Sequence, residues 1–396
     1  MIQEQHGGLP VLRELAAAFL KLGTVAFGGP AAHIAMMEDE IVRRRNWLSR
    51  EEFLDLLGAT NLIPGPNSTE MAIHVGRRQA GWPGLLVAGG CFILPAVLLV
   101  TAFAWAYVHY GSLPVLSGVL YGVKPVIIAV VLQALWALGR TAVKSGFLAV
   151  VGVMGMALAF LSVDELLILL AGGVVVGFRG KVIRRTAGGN RNSLLLVLGS
   201  PLALVSQTGV SATGSLAPFA LWPLFLFFLK VGAVLYGSGY VLFAFMRGDL
   251  VQHWHWLTES QLLDAIAVGQ MTPGPVFTAA TFVGYILGGP TAAFVATIGI
   301  FLPAFFFVAV SGSFIPRLRQ SPTASAFLDG VNVASLALML VVTYQLGRTA
   351  IFDIPTALLA LLSAIVLFRF RVNSAWLVLG GAAAGFLLHW LGPVLK

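Results

Sequence analysis

The chain states one pattern twice. FLKLGTVAFGGP at residues 19–30 returns as FLKVGAVLYGSG at 228–239, and LIPGP at 62–66 returns as MTPGP at 271–275. LPA at 94–96 recurs at 302–304, and LGRTA at 138–142 recurs at 346–350. Matching residues lie 208 or 209 positions apart throughout: Lys21 with Lys230, Pro64 with Pro273, Pro95 with Pro303, Arg140 with Arg348. One unit was duplicated along its whole length, and the unit is almost entirely apolar. Apolar duplications interrupted by Gly and Pro at matching positions are the sequence mark of a secondary transporter.

Composition agrees. Of 396 residues, 58% are hydrophobic and 10% charged, against about 25% charged in a soluble domain. Several apolar runs approach or exceed the ~20 residues that cross a hydrocarbon core as a helix. The lipid bilayer is therefore the expected surrounding. The net charge of +8 is no nucleic-acid signal, because Lys and Arg sit in short clusters between apolar runs, where the positive-inside rule places them. Cys91 is the one cysteine, so neither an internal disulfide nor a thiolate metal site is expected. No metal or cofactor is expected. Residues 1–10 are polar and do not read as a cleavable signal.

The expected fold is an all-α polytopic membrane protein with two inverted-topology repeats of about five crossings each, over 1–190 and 191–396, containing Gly/Pro-broken or re-entrant helices. The first half reads as an apolar segment over 12–37 broken at Gly28-Gly29-Pro30, a charged stretch over 38–52, a short segment over 53–79 broken at Pro64-Gly65-Pro66, and four fuller runs. The linker 179–191 carries five basic residues and is read as cytoplasmic. Counting back from it, the clusters at 43–45 and 77–78 share one side only if 53–79 enters and leaves by the same face. The second-half counterpart of the triple Arg, 246–256, holds one Arg and one Asp, so matching loops have opposite basic content. If the first segment also turns back, the count of crossings drops. The insert 192–215 has no assigned role.

The breaks carry the candidate chemistry. Pro64 and Pro66 cannot donate to a helix ladder, and Gly65 permits positive φ. Asn67, Ser68 and Thr69 are cap types that open a new helix, whose free N–H groups and partial positive charge suit an oxyanion. The plainer reading is a packing kink with hydroxyls bonded back to the helix. Recurrence at Pro273-Gly274-Pro275, with Thr278 after it, favours the site. Gly28-Gly29-Pro30 and Gly237-Ser238-Gly239 are a second matched pair of breaks. Each follows a lysine, Lys21 or Lys230, which either supplies charge to a dianion or snorkels to headgroups. Asn61 and Gln270 match each other as amides just before the turns. Glu70 and His33 are the proton-coupling candidates; the competing readings are Glu70 paired with Arg77 or Arg78, and His33 as a satisfied polar core residue. Arg140 and Arg348 read as headgroup anchors or entrance charges.

The pattern FLKLG…FGGPAAHIAMMEDEIVRRRNWLS…LLGATNLIPGPNSTEMAIHVG, with GQMTPGPVFTAATFVGYILGG and IFLPAFFFV in the second half, resembles the chromate ion transporter family in its long, two-domain form. The resemblance runs from about Phe19 to Phe386. One departure is that the family's second-half FGGGY stands here as Tyr236-Gly237-Ser238-Gly239-Tyr240, where Ser238 narrows the turn or adds a hydroxyl. The resemblance implies a non-enzymatic transporter of the inner membrane that exports chromate and gives resistance, with sulfate as isosteric competitor. A sulfate or other tetrahedral oxyanion carrier of the same fold is the alternative. A membrane chromate reductase would need a redox centre, and the chain has no cysteine set, strand-following GxGxxG or haem-spaced His pair for one. An anion channel is set apart only by flux saturation. Oligomeric state is left open, a homodimer among the options.

Overall fold

The computed structural model describes residues 8–26, 29–110, 114–187, 219–236, 239, 241–311, 321–370, 372 and 374–391. Gly28, Gly237, Ser238 and the insert 192–215 lie outside the described residues. Among these residues every regular element is a helix. The first half holds α1 (Leu9–Val25), α2 (Gly29–Met37) running into a π-helical turn (Glu38–Arg44), α3 (Arg50–Thr60), α4 (Asn67–Tyr110), α5 (Pro114–Ala142), α6 (Gly146–Phe160) and α7 (Glu165–Ala187). The second holds α8 (Leu221–Val234), α9 (Val241–Phe245) running into a π-helical turn (Met246–His253), α10 (Glu259–Met271), α11 (Ala279–Ser311, entered through the 3-10 turn Val276–Thr278), α12 (Pro322–Ala350), α13 (Ile354–Phe370) and α14 (Ser374–Leu391).

The irregularities repeat with the elements. Each π-helical turn is followed by a residue of positive φ, Asn46 (51°) or His255 (55°). A capping box comes next, Ser49 with Glu52 and Thr258 with Gln261, giving two reciprocal hydrogen bonds to an otherwise bare helix start. α4 and α11 each fold at a non-helical pair, Ala80–Gly81 and Gly288–Gly289. The second arm packs back on the first. A Cβ on Gly76 would overlap the Gly84 carbonyl oxygen, and in α11 the Thr281 and Thr297 hydroxyls meet at 2.8 Å. Among the described residues four helices are long and apolar enough to cross a membrane: Asn67–Tyr110, Gly118–Ala142, Val276–Ser311 and Pro322–Ala350. Shorter apolar helices are Gly146–Phe160, Leu221–Val234, Ile354–Phe370 and Ser374–Leu388.

The charged stretch 38–52 is helical over Glu38–Arg44, and one expectation changes. Residues 12–37 do not make one pass. Lys21 Nζ lies 2.8 Å from Glu40 Oε2; nineteen residues on a straight helix span about 28 Å, so α1 and α2 fold back on each other. Lys230 and Asp249 repeat this at 2.6 Å. Leu15, Phe19 and Leu22 accordingly share a core cluster with Met37, Ile41, Phe53, Val75 and Ala80. The reason lies in the break itself: Ala26 at ψ 87° leaves the helical region and turns the chain.

Contacts sort the ends of the bundle. At one end Arg78 pairs with Glu52 at 2.8 Å, Gln79 donates to the Trp47 carbonyl at 3.0 Å, Lys144 pairs with Asp329 at 2.6 Å, and Arg77 donates to the carbonyls of Val308 and Ala309. At the other end Tyr107 donates to Asp264 at 2.9 Å, Arg247 pairs with Glu259 at 2.7 Å, and Tyr121 donates to Asp353 at 2.6 Å. The first-half hairpins thus open at the Arg78 end and the second-half hairpins at the Tyr107 end. The halves interlock through small residues: Gly122 against Gly381 and Gly385 joins α5 to α14, and Gly172 against Gly330 joins α7 to α12. Close backbone approach of this kind is what holds helices together where lipid removes the hydrophobic drive.

Candidate functional site

Helix breaks inside such a bundle leave N–H and C=O groups that only protein can satisfy. The two Pro-Gly-Pro turns solve this reciprocally. The Gly65 N–H donates to the Leu235 carbonyl at 2.8 Å, and the Gly274 N–H donates to the Ala26 carbonyl at 2.9 Å. Leu235 and Ala26 are matching residues that end α8 and α1. Both turns require glycine, with φ of 140° at Gly65 and 92° at Gly274. Space forbids a side chain as well. A Cβ on Gly274 would lie 2.9 Å from Ala96 Cβ, and one on Gly65 would lie 3.4 Å from Ala304 Cβ and collide with Glu70 Oε1. The repeated LPA motif thereby acquires a role: its alanine leaves room for the turn of the opposite half.

These contacts gather the four predicted breaks at one place, as far as they are described. Gly29 starts α2, Asn67 starts α4 and Val276 starts the turn into α11, and a Cβ on Gly239 would lie 3.1 Å from the Phe277 ring. Pro64, Gly65, Pro66, Ser68, Thr69, Pro273, Gly274, Pro275 and Thr278 are all buried. Thr278 Oγ1 donates to its own turn, to the Pro275 carbonyl at 2.8 Å. Asn67 Nδ2 donates to Asn61 Oδ1 at 2.9 Å, and Asn61, exposed, donates to the Leu57 carbonyl at 3.1 Å. Asn61 therefore braces the turn. Gln270 is buried at the equivalent place. The side chain of Pro30 is not among those described.

Glu70 is fully buried, with Oε1 beside Gly65 and no hydrogen-bond partner on either carboxylate oxygen among the described residues. Neither arginine offered as its partner reaches it: Arg78 holds Glu52, and Arg77 holds the end of α11. His33 is buried; its Nε2 reaches the Ala26 carbonyl at 3.0 Å and so donates, while Nδ1 has no partner among the described residues. It braces the same carbonyl that accepts from Gly274.

The lysines stand apart from the turns. Each sits five residues before the residue that ends its helix, Ala26 or Leu235, about 7.5 Å along the helix, and each is ion-paired to an acid of its own π-helical turn. The Lys21 ammonium holds the Glu40 carboxyl below the usual carboxylate range, against the opposing effect of burial, and Arg45 adds to it. Each lysine is thus held by an acid of its own half.

Three features escaped the sequence reading. His74, buried one turn after Glu70, has no partner for Nε2 among the described residues. Glu40 and Asp249 are the lysines' counter-ions. Lys124 and Asp264 form a buried pair at 3.2 Å between α5 and α10, with Tyr107 on the same carboxylate. A charge within an apolar run marked both members of that pair in the sequence. Among the described residues no three His, Cys, Asp or Glu side chains converge as a metal site.

Comparison with known proteins bears on these residues. The chromate transporter family matches residues 13–178 and 222–386. The chain is 32% identical over 378 residues to a chromate transport protein of Cupriavidus metallidurans, covering 94% of this chain and 92% of that protein. It is 30% identical over 390 residues to a chromate transport protein of Pseudomonas aeruginosa, covering 95% and 92%. An uncharacterized transporter of Bacillus subtilis is 33% identical over 131 residues, covering 33% of this chain and 74% of that protein. No solved structure matches the chain.

Proposed function

The chain belongs to the chromate transporter family, and we propose that it is a secondary transporter that exports chromate across the cytoplasmic membrane and so gives chromate resistance. The observation that carries the proposal is the reciprocal tie of the two Pro-Gly-Pro turns, which links the helix starts at Asn67 and Val276 to the opposite half. Free N–H groups at such starts bind oxyanions without a desolvated lysine. A helix terminus in a partly buried site contributes up to about 2 kcal/mol, and each hydrogen bond to a charged group about 1.5–3 kcal/mol. Ser68 and Thr69 add side-chain hydroxyls, and Asn67, bonded to Asn61, fixes the start of the helix. These donors read a tetrahedral oxyanion by shape and charge, so sulfate competes.

We read the halves as inverted repeats with re-entrant hairpins. The support is that first-half hairpins open at the Arg78 end and second-half hairpins at the Tyr107 end. Arg43, Arg44, Arg45, Arg77, Arg78, Arg140 and Lys144 gather at the first of these ends, which makes it cytoplasmic by the positive-inside rule. Because α1 and α2 fold back, each half supplies four crossings in place of five. α7 then ends on the cytoplasmic side and α8 begins on the other. Lys21 and Lys230 then stand one toward each mouth. Arg140 and Arg348, exposed near opposite ends, anchor to headgroups.

The driving force is adequate. A dianion leaving a negative interior gains about 4.6 kcal/mol per 100 mV, at about 2.3 kcal/mol per charge. The test is labelled chromate uptake into inverted vesicles, with potential and pH gradient imposed separately. Saturable, potential-driven uptake that sulfate inhibits is expected; chromate movement no faster than in vesicles without the protein would overturn the proposal.

A further inference from the structure

Resting on that export reading, we propose that Glu70 links transport to protons: its carboxylate stands in for the oxyanion at the start of α4, and when an oxyanion binds there Glu70 takes up a proton, so that one proton travels with each oxyanion. The proton comes from water on the cytoplasmic side and is released to water on the other, and no bond to the oxyanion is made or broken.

The duplication supplies an internal control. The second half builds the same turn with Ala279 where the first has Glu70, Leu242 for His33, Val283 for His74, Val276 for Asn67 and Phe277 for Ser68. Both turns make the same backbone tie, at 2.8 and 2.9 Å. None of the titratable side chains is therefore needed to build the break. They are an addition to one half, and among the described residues they include unpartnered buried atoms: both Glu70 oxygens, His74 Nε2 and His33 Nδ1. Native folds leave few buried polar groups unpaired, and each one asks for a ligand, water or function.

Position decides what Glu70 can do. Its Oε1 lies against Gly65, at the first turn of its own helix, where an anion is favoured. A charged carboxylate there and an incoming dianion repel each other, and neither can be screened by a cation. Tyr236 of the other half feels the Glu70 charge, and His74 follows one turn along the same helix. From α11, Ala304 lies beside the turn, and Arg77 is committed to the Val308 and Ala309 carbonyls. With no positive partner in reach among the described residues, protonation is the way this carboxyl loses its charge, and its occupancy by a proton and the site's occupancy by the oxyanion rise together.

Charge stoichiometry tests this. Wild type and Glu70→Gln are reconstituted in vesicles, and the steady chromate gradient is read against imposed potential and, separately, imposed pH gradient. Wild type moves one net negative charge per chromate and accumulates about tenfold for about 60 mV; Glu70→Gln moves two and accumulates about a hundredfold. A pH gradient alone drives wild type and leaves the variant unmoved. Chromate itself takes up a proton near neutral pH, and the variant separates the two sources: a proton carried by the substrate would leave Glu70→Gln at one charge, which overturns the proposal. Two charges in wild type overturn it as well, and that reading needs no variant should Glu70→Gln not fold. If wild type moves no chromate at all, the export reading fails, and this one with it.

Discussion

The Gly65 N–H donates to the Leu235 carbonyl at 2.8 Å, tying the Pro-Gly-Pro turn of the first half to the end of the first helix of the second. The turn sits at φ 140° with no space for a side chain. Gly65→Val is expected to cost about 1–3 kcal/mol in backbone strain alone, with steric overlap added, and to lose most chromate binding. Ser68→Ala removes one donor of several and should cost less. Thermal unfolding and competition binding in detergent, run on both variants, check this order. Wild-type affinity in a folded Gly65→Val protein would contradict the broken-helix site.

Lys124 and Asp264 bridge α5 to α10 at 3.2 Å, and Asp264 is 1% exposed. Removing one charge strands the other, at about 3–5 kcal/mol, whereas replacing both with apolar groups is often neutral. Lys124→Met should therefore lower the unfolding temperature more than Lys124→Met combined with Asp264→Leu. A double variant no more stable than the single one would show that the pair is not closed as described.

The Lys21–Glu40 pair has half-exposed Lys21 and buried Glu40, and a coupling of about 0.2–1 kcal/mol is expected from a double-variant cycle. Glu40 has a folded pKa below its unfolded value of about 4.3. Its contribution is then fully present above the unfolded value and is lost as pH falls through the folded one. Lys21→Gln should move that loss to higher pH. Unfolding temperature followed downward from neutral pH would show the shift, and coincident acid limbs in the two proteins would rule it out.

Topology is checked by single-cysteine labelling in a Cys91→Ser background. Cysteines at Arg44 and Gln252 should label from opposite sides of the membrane, as the opposed hairpins require. A cysteine at Arg13 should label from the same side as Arg44, because α1 and α2 fold back. Labelling of Arg13 and Arg44 from opposite sides would restore a crossing in the first segment.

The sequence by itself determined that this chain is apolar, duplicated and broken by Gly and Pro at matching places, because these are properties of residue type and spacing. It also placed the breaks of Pro64-Gly65-Pro66 and Pro273-Gly274-Pro275, since proline and glycine act on the backbone wherever they stand. Partners across the chain were not legible there. Nothing local says that Gly274 meets Ala26, that Ala96 makes room for Gly274, or that Arg77 reaches Val308, more than 200 residues away. The fate of Lys21 was open for the same reason: its counter-ion Glu40 lies 19 residues on, and only the fold-back between α1 and α2 brings them together. Glu70 was legible as a carboxyl near a helix start; that it has no arginine was decided by the tertiary structure, which sends Arg77 and Arg78 elsewhere and closes apolar helices around the acid. A break can be read from one stretch of chain, whereas an electrostatic environment is the sum of every stretch packed around it.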